Sequence, residues 1–147
     1  MKKIFQTNES NASTIIRIVL GVILFPHGAQ KMLGWFGGYG FSGTMSFLTH
    51  TAGLPWIIAF FVIAIEFFGA IALLFGFATR IVAAGIISLF TGIIATSHLQ
   101  NGFFMNWYGN LKGEGFEFHL LIIGMAIALV VSGAGKWSVD YALQKKK

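Results

Sequence analysis

A lone carboxylate stands in the middle of an apolar run, Phe60-Phe61-Val62-Ile63-Ala64-Ile65-Glu66-Phe67-Phe68-Gly69-Ala70. Moving an ionised side chain into such surroundings costs at least about 2.5 kcal/mol on insertion scales. A group kept there is paired with a cation or holds its proton, and it faces the interior of a bundle. The chemistry this permits is proton relay or ligand anchoring; the plainer alternative is a polar lock between helices. Partners are sought in the first apolar run, where Arg17, Gly21, Leu24, Gly28 and Lys31 fall within roughly an 80° arc at 100° per residue. Rise arithmetic puts Glu66 about midway in depth between Arg17 and Lys31. Neither cation is level with it, so an ion pair requires a long side chain reaching along the bundle; otherwise each cation snorkels to its own interface. Gly21 and Gly28 let a second helix approach closely, and Gly69 and Gly124 are read as packing positions in later apolar runs.

Four histidines follow: His27, His50, His98 and His119. Of these, His27, His98 and His119 lie toward the same side of the apolar segments and form, with Lys31, Glu114 and Glu117, a polar cluster in one half of the bundle. Such a cluster admits a quinone headgroup, a metal or a haem, or merely imidazoles meeting water at an interface. Spacing argues against metal and haem. No local ligand motif is present, and Glu117 and His119, two apart, point to nearly opposite faces of a helix. The candidate buried site is therefore Glu66, Arg17, Lys31, His27, His98, Glu117 and His119, with no residue assigned to catalysis. Ala84, Ser88, Thr91, Ala95 and His98 share another face, and small and hydroxylated residues of that kind usually mark helix packing.

These residues must be positioned by helices. The chain has 147 residues, 56% hydrophobic and only 10% charged, too apolar for a soluble domain of that length to bury. We expect an all-α integral membrane four-helix bundle with spans at about 14–33, 54–77, 81–100 and 117–134, each near the 20 residues that cross a bilayer. Residues 1–13 form a polar N-terminal segment with Asn11 or Ser13 available as a helix cap, 14–141 the membrane domain, and 142–147 a basic tail. Pro26 removes a backbone donor and is a place for a kink. Ala78, Thr79 and Arg80 join the second and third spans tightly. The other two connections are rich in glycine and aromatics, and Ser42 to His50 within the first suits a short interfacial helix. Lys2, Lys3, Arg80, Lys136 and Lys145 to Lys147 fall on one side and Lys31 and Lys112 on the other. The positive-inside rule then predicts both termini cytoplasmic and the Gly/aromatic-rich loops outside. Arg17-Ile18-Val19-Leu20-Gly21 and Arg80-Ile81-Val82-Ala83-Ala84-Gly85 echo one another, which fits two repeated hairpins or chance similarity between apolar helices.

The absence of cysteine excludes disulfides, thiolate metal sites and dithiol redox chemistry within the chain. A net charge of +5 arises largely from flanking lysines that meet lipid headgroups, and no basic stripe with interleaved aromatics suits nucleic acid. No phosphate-binding loop is present. The first apolar stretch is long enough to span and lacks a clean cleavage site, so it is read as a helix rather than a signal peptide.

Arg17-x-x-x-Gly21, Gly28-x-x-Lys31, Glu66 ahead of a Gly-rich apolar run, and the ending Gly133-Ala134-Gly135-Lys136-Trp137-Ser138-Val139-Asp140 together resemble the DoxX family of small bacterial membrane proteins. The resemblance runs from about residue 14 to 141. It implies a four-helix protein of the bacterial inner membrane, in a family whose members are described as oxidoreductases or as subunits of quinone-linked complexes. Arg17, Gly28, Lys31 and Glu66 match its polar and glycine positions, and Glu117 and His119 match acidic and His positions that can open its fourth span. The lack of cysteine counts against any thiol-based redox role. The function expected is an accessory subunit of a membrane redox system that binds quinone or another lipophilic molecule near the buried carboxylate. Its partners would be membrane lipid, other redox subunits or further copies of itself. An assembly subunit without chemistry and a small proton-coupled transporter are the alternatives.

Overall fold

The computed structural model describes residues 5–145, and all regular structure among them is helical. Helix α1 (Asn11–Leu33) starts at Ser10, whose side chain accepts from the Ser13 amide, and stops at Gly34 in the left-handed conformation. Ser10 takes the capping role in place of Asn11 or Ser13 because the extended backbone a cap requires falls there. The helix continues through Pro26 to Leu33. A tight turn, Trp35–Gly37, leads into α2 (Gly40–Ser46), prolonged by a π-helical turn at Phe47–Thr51. This covers the segment expected to form a short interfacial helix.

Two long helices follow, α3 (Trp56–Phe75) and α4 (Thr79–Asn101), each interrupted by a π-helical turn, at Ile65–Gly69 and Ile94–His98. The link between them keeps the expected three residues but lies two positions earlier, at Gly76 to Ala78, because Thr79 and Arg80 already belong to α4. Helix α5 (Glu117–Ser132) and the short α6 (Val139–Lys145) complete the chain. Residues 142–145, expected as tail, are thus the end of a helix; Lys2, Lys3, Lys146 and Lys147 lie outside the described residues. Helices α1, α3 and α4 are long and apolar enough to cross a membrane. Helix α5 is apolar too, but its 16 residues rise only about 24 Å.

Leu20 and Leu24 of α1, Leu73 of α3, Ile86 and Phe90 of α4, and Ile122 and Leu129 of α5 close one core. A second, smaller core joins Met45 of α2 to Ala59 and Ile63 of α3. Large apolar side chains also cover the outside, among them Ile15, Val22, Phe61, Phe68, Leu121 and Val131. Lipid contact explains this two-sided apolarity, which water would not tolerate. The small-residue stripe of α4 does not pack within the described chain. Thr79, Ala83, Ile86 and Phe90 face the core, and Ala84, Ser88, Thr91 and Ala95 are exposed on the opposite side. The larger apolar face won the interior because it buries more surface.

Both described chain ends and the α3–α4 turn meet at one end of the molecule, joined by Asn8 N–H to the Ser132 carbonyl (3.1 Å), Arg80 Nε to the Gln6 carbonyl (2.8 Å) and Asp140 N–H to the Gly76 carbonyl (3.0 Å). We call this the terminal end. The opposite, loop end carries α2 and the 102–116 connection, with Trp35, Tyr39, Trp107 and Tyr108 exposed as an interfacial belt would have them.

Candidate functional site

Glu66 sits in the π-helical turn of α3, 3% exposed. A π turn inserts a residue and widens the helix, and such bulges concentrate at functional sites. Its carboxylate meets the Lys31 ammonium of α1, Nζ to Oε2 2.5 Å. The approach depends on Gly28, one helical turn before Lys31. A Cβ there would lie 2.6 Å from the backbone carbon and oxygen of Glu66, so only glycine lets α1 touch the bulge. Gly21 packs likewise against Leu74, and Gly69 against Val82 of α4; a Cβ on Gly124 would meet nothing within 4 Å, so no close packing occurs there within the described chain.

The depth expected for Glu66 needs correction. It is level with Gly28, not midway between Arg17 and Lys31. Midway placement assumed that the ends of the two helices share a plane. Helix α3 instead overshoots α1 at the loop end, and α2 packs into the step, where Met32 and Phe41 flank the second core. A cleft of about 280 Å³ opens in the same place, bordered by Gln30, Lys31, Tyr39, Thr44, Phe47 and Leu48. The Lys31 side chain is 27% exposed against 4% for Glu66, so it meets the buried carboxylate and also borders the open cleft. Thr44 was not singled out from the sequence; a hydroxyl in a Gly/aromatic loop carries no signal by itself.

Arg17 is not part of this pair. It is 1% exposed and gives its hydrogens to backbone carbonyls: Nε to Ala134 (3.0 Å), Nη1 to Leu73 (2.5 Å) and Leu74 (2.7 Å), Nη2 to Trp137 (3.2 Å). Leu73 and Leu74 end α3, where carbonyls have no helical donor. Arg80 repeats the device on α5, giving Nη1 to Val130 (2.6 Å) and Nη2 to Val131 (3.0 Å). The two acceptors precede Gly76 in one case and Gly133 in the other by the same three and two positions, and both glycines have positive φ. The echo between Arg17 and Arg80 in the sequence therefore corresponds to one device used twice. Asp140, 1% exposed, completes the terminal end by accepting the Ala78 and Thr79 amides on Oδ1 (2.8 Å) and Oδ2 (2.9 Å). It caps α4 from a distant helix, which is why α4 begins earlier than its local sequence indicates.

The histidines divide. His27 and His50 are exposed. His98 and His119 come together, ring centroids 4.3 Å apart, with Phe90 beside His119. The π turn of α4 swings His98 inward, away from the exposed stripe it shares on a regular helix. Its Nδ1 lies 2.8 Å from the Glu114 carbonyl and must donate there, which leaves Nε2 as a lone pair in the neutral ring. His119 is buried and its Nδ1 has no partner among the described residues. Glu117 instead faces the 102–116 loop, accepting the Met105 amide on Oε1 at 2.9 Å, as Glu114 accepts that of Asn106 at 2.8 Å. The expected single polar cluster is thus two separate pairs, Lys31–Glu66 and His98–His119, and a loop clamp. No group of three or more His, Asp or Glu side chains that could hold a metal ion occurs among the described residues.

The DoxX family model matches residues 12–99, which include Arg17, Gly28, Lys31 and Glu66. The chain is 34% identical over 148 aligned positions to "Inner membrane protein YqjF" of Escherichia coli, covering 99% of each. It is 31% identical over 133 positions to "Putative oxidoreductase CatD" of Bacillus subtilis, covering 90% of this chain and 87% of the relative. No solved structure matches. Three helices able to span, the extent of the family match and near full-length relatives lead to one assignment: the chain is a multi-pass protein of the bacterial inner membrane and belongs to the DoxX family.

Proposed function

We propose that this protein is an accessory subunit of a membrane redox system that binds quinone or another lipophilic molecule beside Glu66. It spans the membrane four times with both termini cytoplasmic. The observation that carries the reading is the Lys31–Glu66 pair, a buried carboxylate whose cationic partner also borders an open cleft. Intramembrane ionisable groups of this kind are costly and mark ligand or proton sites by default. The name of the Bacillus subtilis relative points to redox chemistry. For the topology, α5 is the fourth span, with its first amides at Phe116 and Glu117 supplied by the Gly102 and Phe103 carbonyls so that the shortened helix end is not left unpaired. Arg80, Lys136 and Lys145 lie at the terminal end, which favours that end inside.

Protein purified with its native lipids should carry quinone in the extract, and Glu66→Gln should lower the amount retained. Absence of quinone from the wild-type extract, together with no quinone-dependent activity in any partner complex, would sink the reading. The assembly reading has its own support, because the same ion pair ties α1 to α3. It gains if Glu66→Ala only lowers the melting temperature and a partner enzyme stays active. Further redox subunits and a second copy are the partners this reading admits, the exposed small residues of α4 offering a face for close helix contact.

A further inference from the structure

We infer that the cleft beside Lys31 selects an uncharged, carbonyl-bearing ring, with the Lys31 ammonium and the Thr44 hydroxyl as its hydrogen-bond donors, and discriminates against anions. This rests on the proposed binding of a lipophilic molecule at Glu66 and narrows its chemistry. An isolated lysine in a membrane cleft would attract an anionic headgroup. Here the charge is already answered, since Glu66 Oε2 is 2.5 Å from Nζ. An anion would gain little net attraction and would stand close to a buried carboxylate that water cannot screen. A neutral acceptor suffers no such repulsion. An ammonium has three donors, Glu66 takes one, and Nζ makes no other hydrogen bond to a described residue, on a partly exposed side chain that borders the cleft.

The other lining groups agree. The Gln30 amide already donates to the Phe36 carbonyl at 3.2 Å. Thr44 is only 7% exposed and its hydroxyl makes no hydrogen bond to a described residue, so a nearly buried donor is left for the ligand. Tyr39, Phe47 and Leu48 supply the apolar and aromatic wall, and no acidic side chain and no second basic one lines the cleft. A volume of about 280 Å³ is just below the usual range of ligand pockets and has room for no more than one ring.

The test is titration of the purified full-length protein with a short-chain quinone, read by quenching of tryptophan fluorescence, with Trp35 near the cleft as the principal reporter. Saturable quenching is expected. Lys31→Met should weaken it about tenfold or more, and Thr44→Val about threefold to tenfold, as loss of one hydrogen bond each implies. Thr44→Val keeps shape and volume and so covers the case in which Lys31→Met fails to fold. A short-chain phosphatidylglycerol should not compete with wild type but should compete with Glu66→Gln, whose uncompensated ammonium recreates an anion site. Quenching that saturates equally in wild type and both donor variants overturns this inference and leaves the proposed function standing. Equal competition by the anionic lipid in wild type also overturns it. No saturable quenching by any quinone in wild type overturns the proposed function and this inference together.

Discussion

The two ends of this molecule hold their charges in opposite ways. At the terminal end Arg17, Arg80 and Asp140 spend their hydrogen-bonding capacity on backbone groups that helix ends leave open. Ser13 and Ser132 bridge α1 to α5 at 2.9 Å, and Thr7 N–H reaches Gln144 at 2.8 Å. Of the buried side-chain polar atoms there, only the Thr79 hydroxyl lacks a partner among the described residues. At the loop end, capacity is left over. Lys31 answers Glu66 and still borders a cleft, and neither the Thr44 hydroxyl nor the buried His119 Nδ1 bonds a described residue. All three π-helical turns lie in this half. The difference separates charges that hold helices together from charges available to a ligand. Burial alone does not make that distinction, since Arg17 is buried more deeply than Glu66.

The comparison predicts a hierarchy of effects. Arg17→Ala should cost most, about 3–5 kcal/mol, because several buried carbonyls lose their donor at once. Arg17→Lys should recover less than half, lacking the fork that reaches four acceptors. Thermal unfolding in one detergent measures both, and a loss smaller than that of Lys31→Met would break the comparison. Lys31→Met should cost about 2 kcal/mol, and adding Glu66→Gln should restore most of it, since replacing both partners removes the stranded charge. A double mutant less stable than either single would show that the pair is mainly structural. Gly28→Ala should cost about 1–3 kcal/mol by forcing α1 off the Glu66 backbone, whereas Gly124→Ala, facing open space, should stay within about 0.5 kcal/mol or stabilise slightly.

The smallest effect belongs to the surface of the terminal end. The Tyr141 hydroxyl bonds the Glu9 carboxylate and holds its pKa below the ordinary 4.5. A depressed carboxyl stabilises the fold above its unfolded value, and that contribution is lost as pH falls through the lower folded value. Lys145, over the Tyr141 ring, is raised above its ordinary 10.5, chiefly by its interaction with the Tyr141 side chain. Its contribution is present below that value and is lost as pH rises through the still higher folded value. Hydrogen exchange of the α6 amides, corrected for intrinsic rates, should therefore be slowest between these limits and rise modestly in acid. An unchanged protection factor down to acid pH would remove Glu9 from the clasp.

Much of this was legible in the residues. Continuous apolar runs gave the helices to within a few positions. Glu66 was legible as a buried group because no polar neighbour surrounds it in sequence, and Gly28 and Lys31 because helical spacing puts them on one face. Other features came out differently. Arg17 shares that face, yet it serves the ends of α3 and the chain past α5, a choice that depends on what lies opposite each turn of α1. His98 leaves the stripe predicted for it because a π turn changes the angular count, and no local residue type announces such a turn. Asp140 was part of a recognised ending, but nothing near it indicated that it would cap a helix some sixty residues earlier.

By itself, then, the sequence determined that the chain is helical, apolar on all sides and marked by a few charges too costly to be incidental. Those properties are local, fixed by composition and by the 3.6-residue period. Only the tertiary structure decided which of those charges are exhausted on backbone and which are left facing a cleft. Hydrogen bonds form between whichever groups packing brings within about 3 Å. The offset of α3 past α1 and the widened turns at Glu66 and His98 set which groups those are.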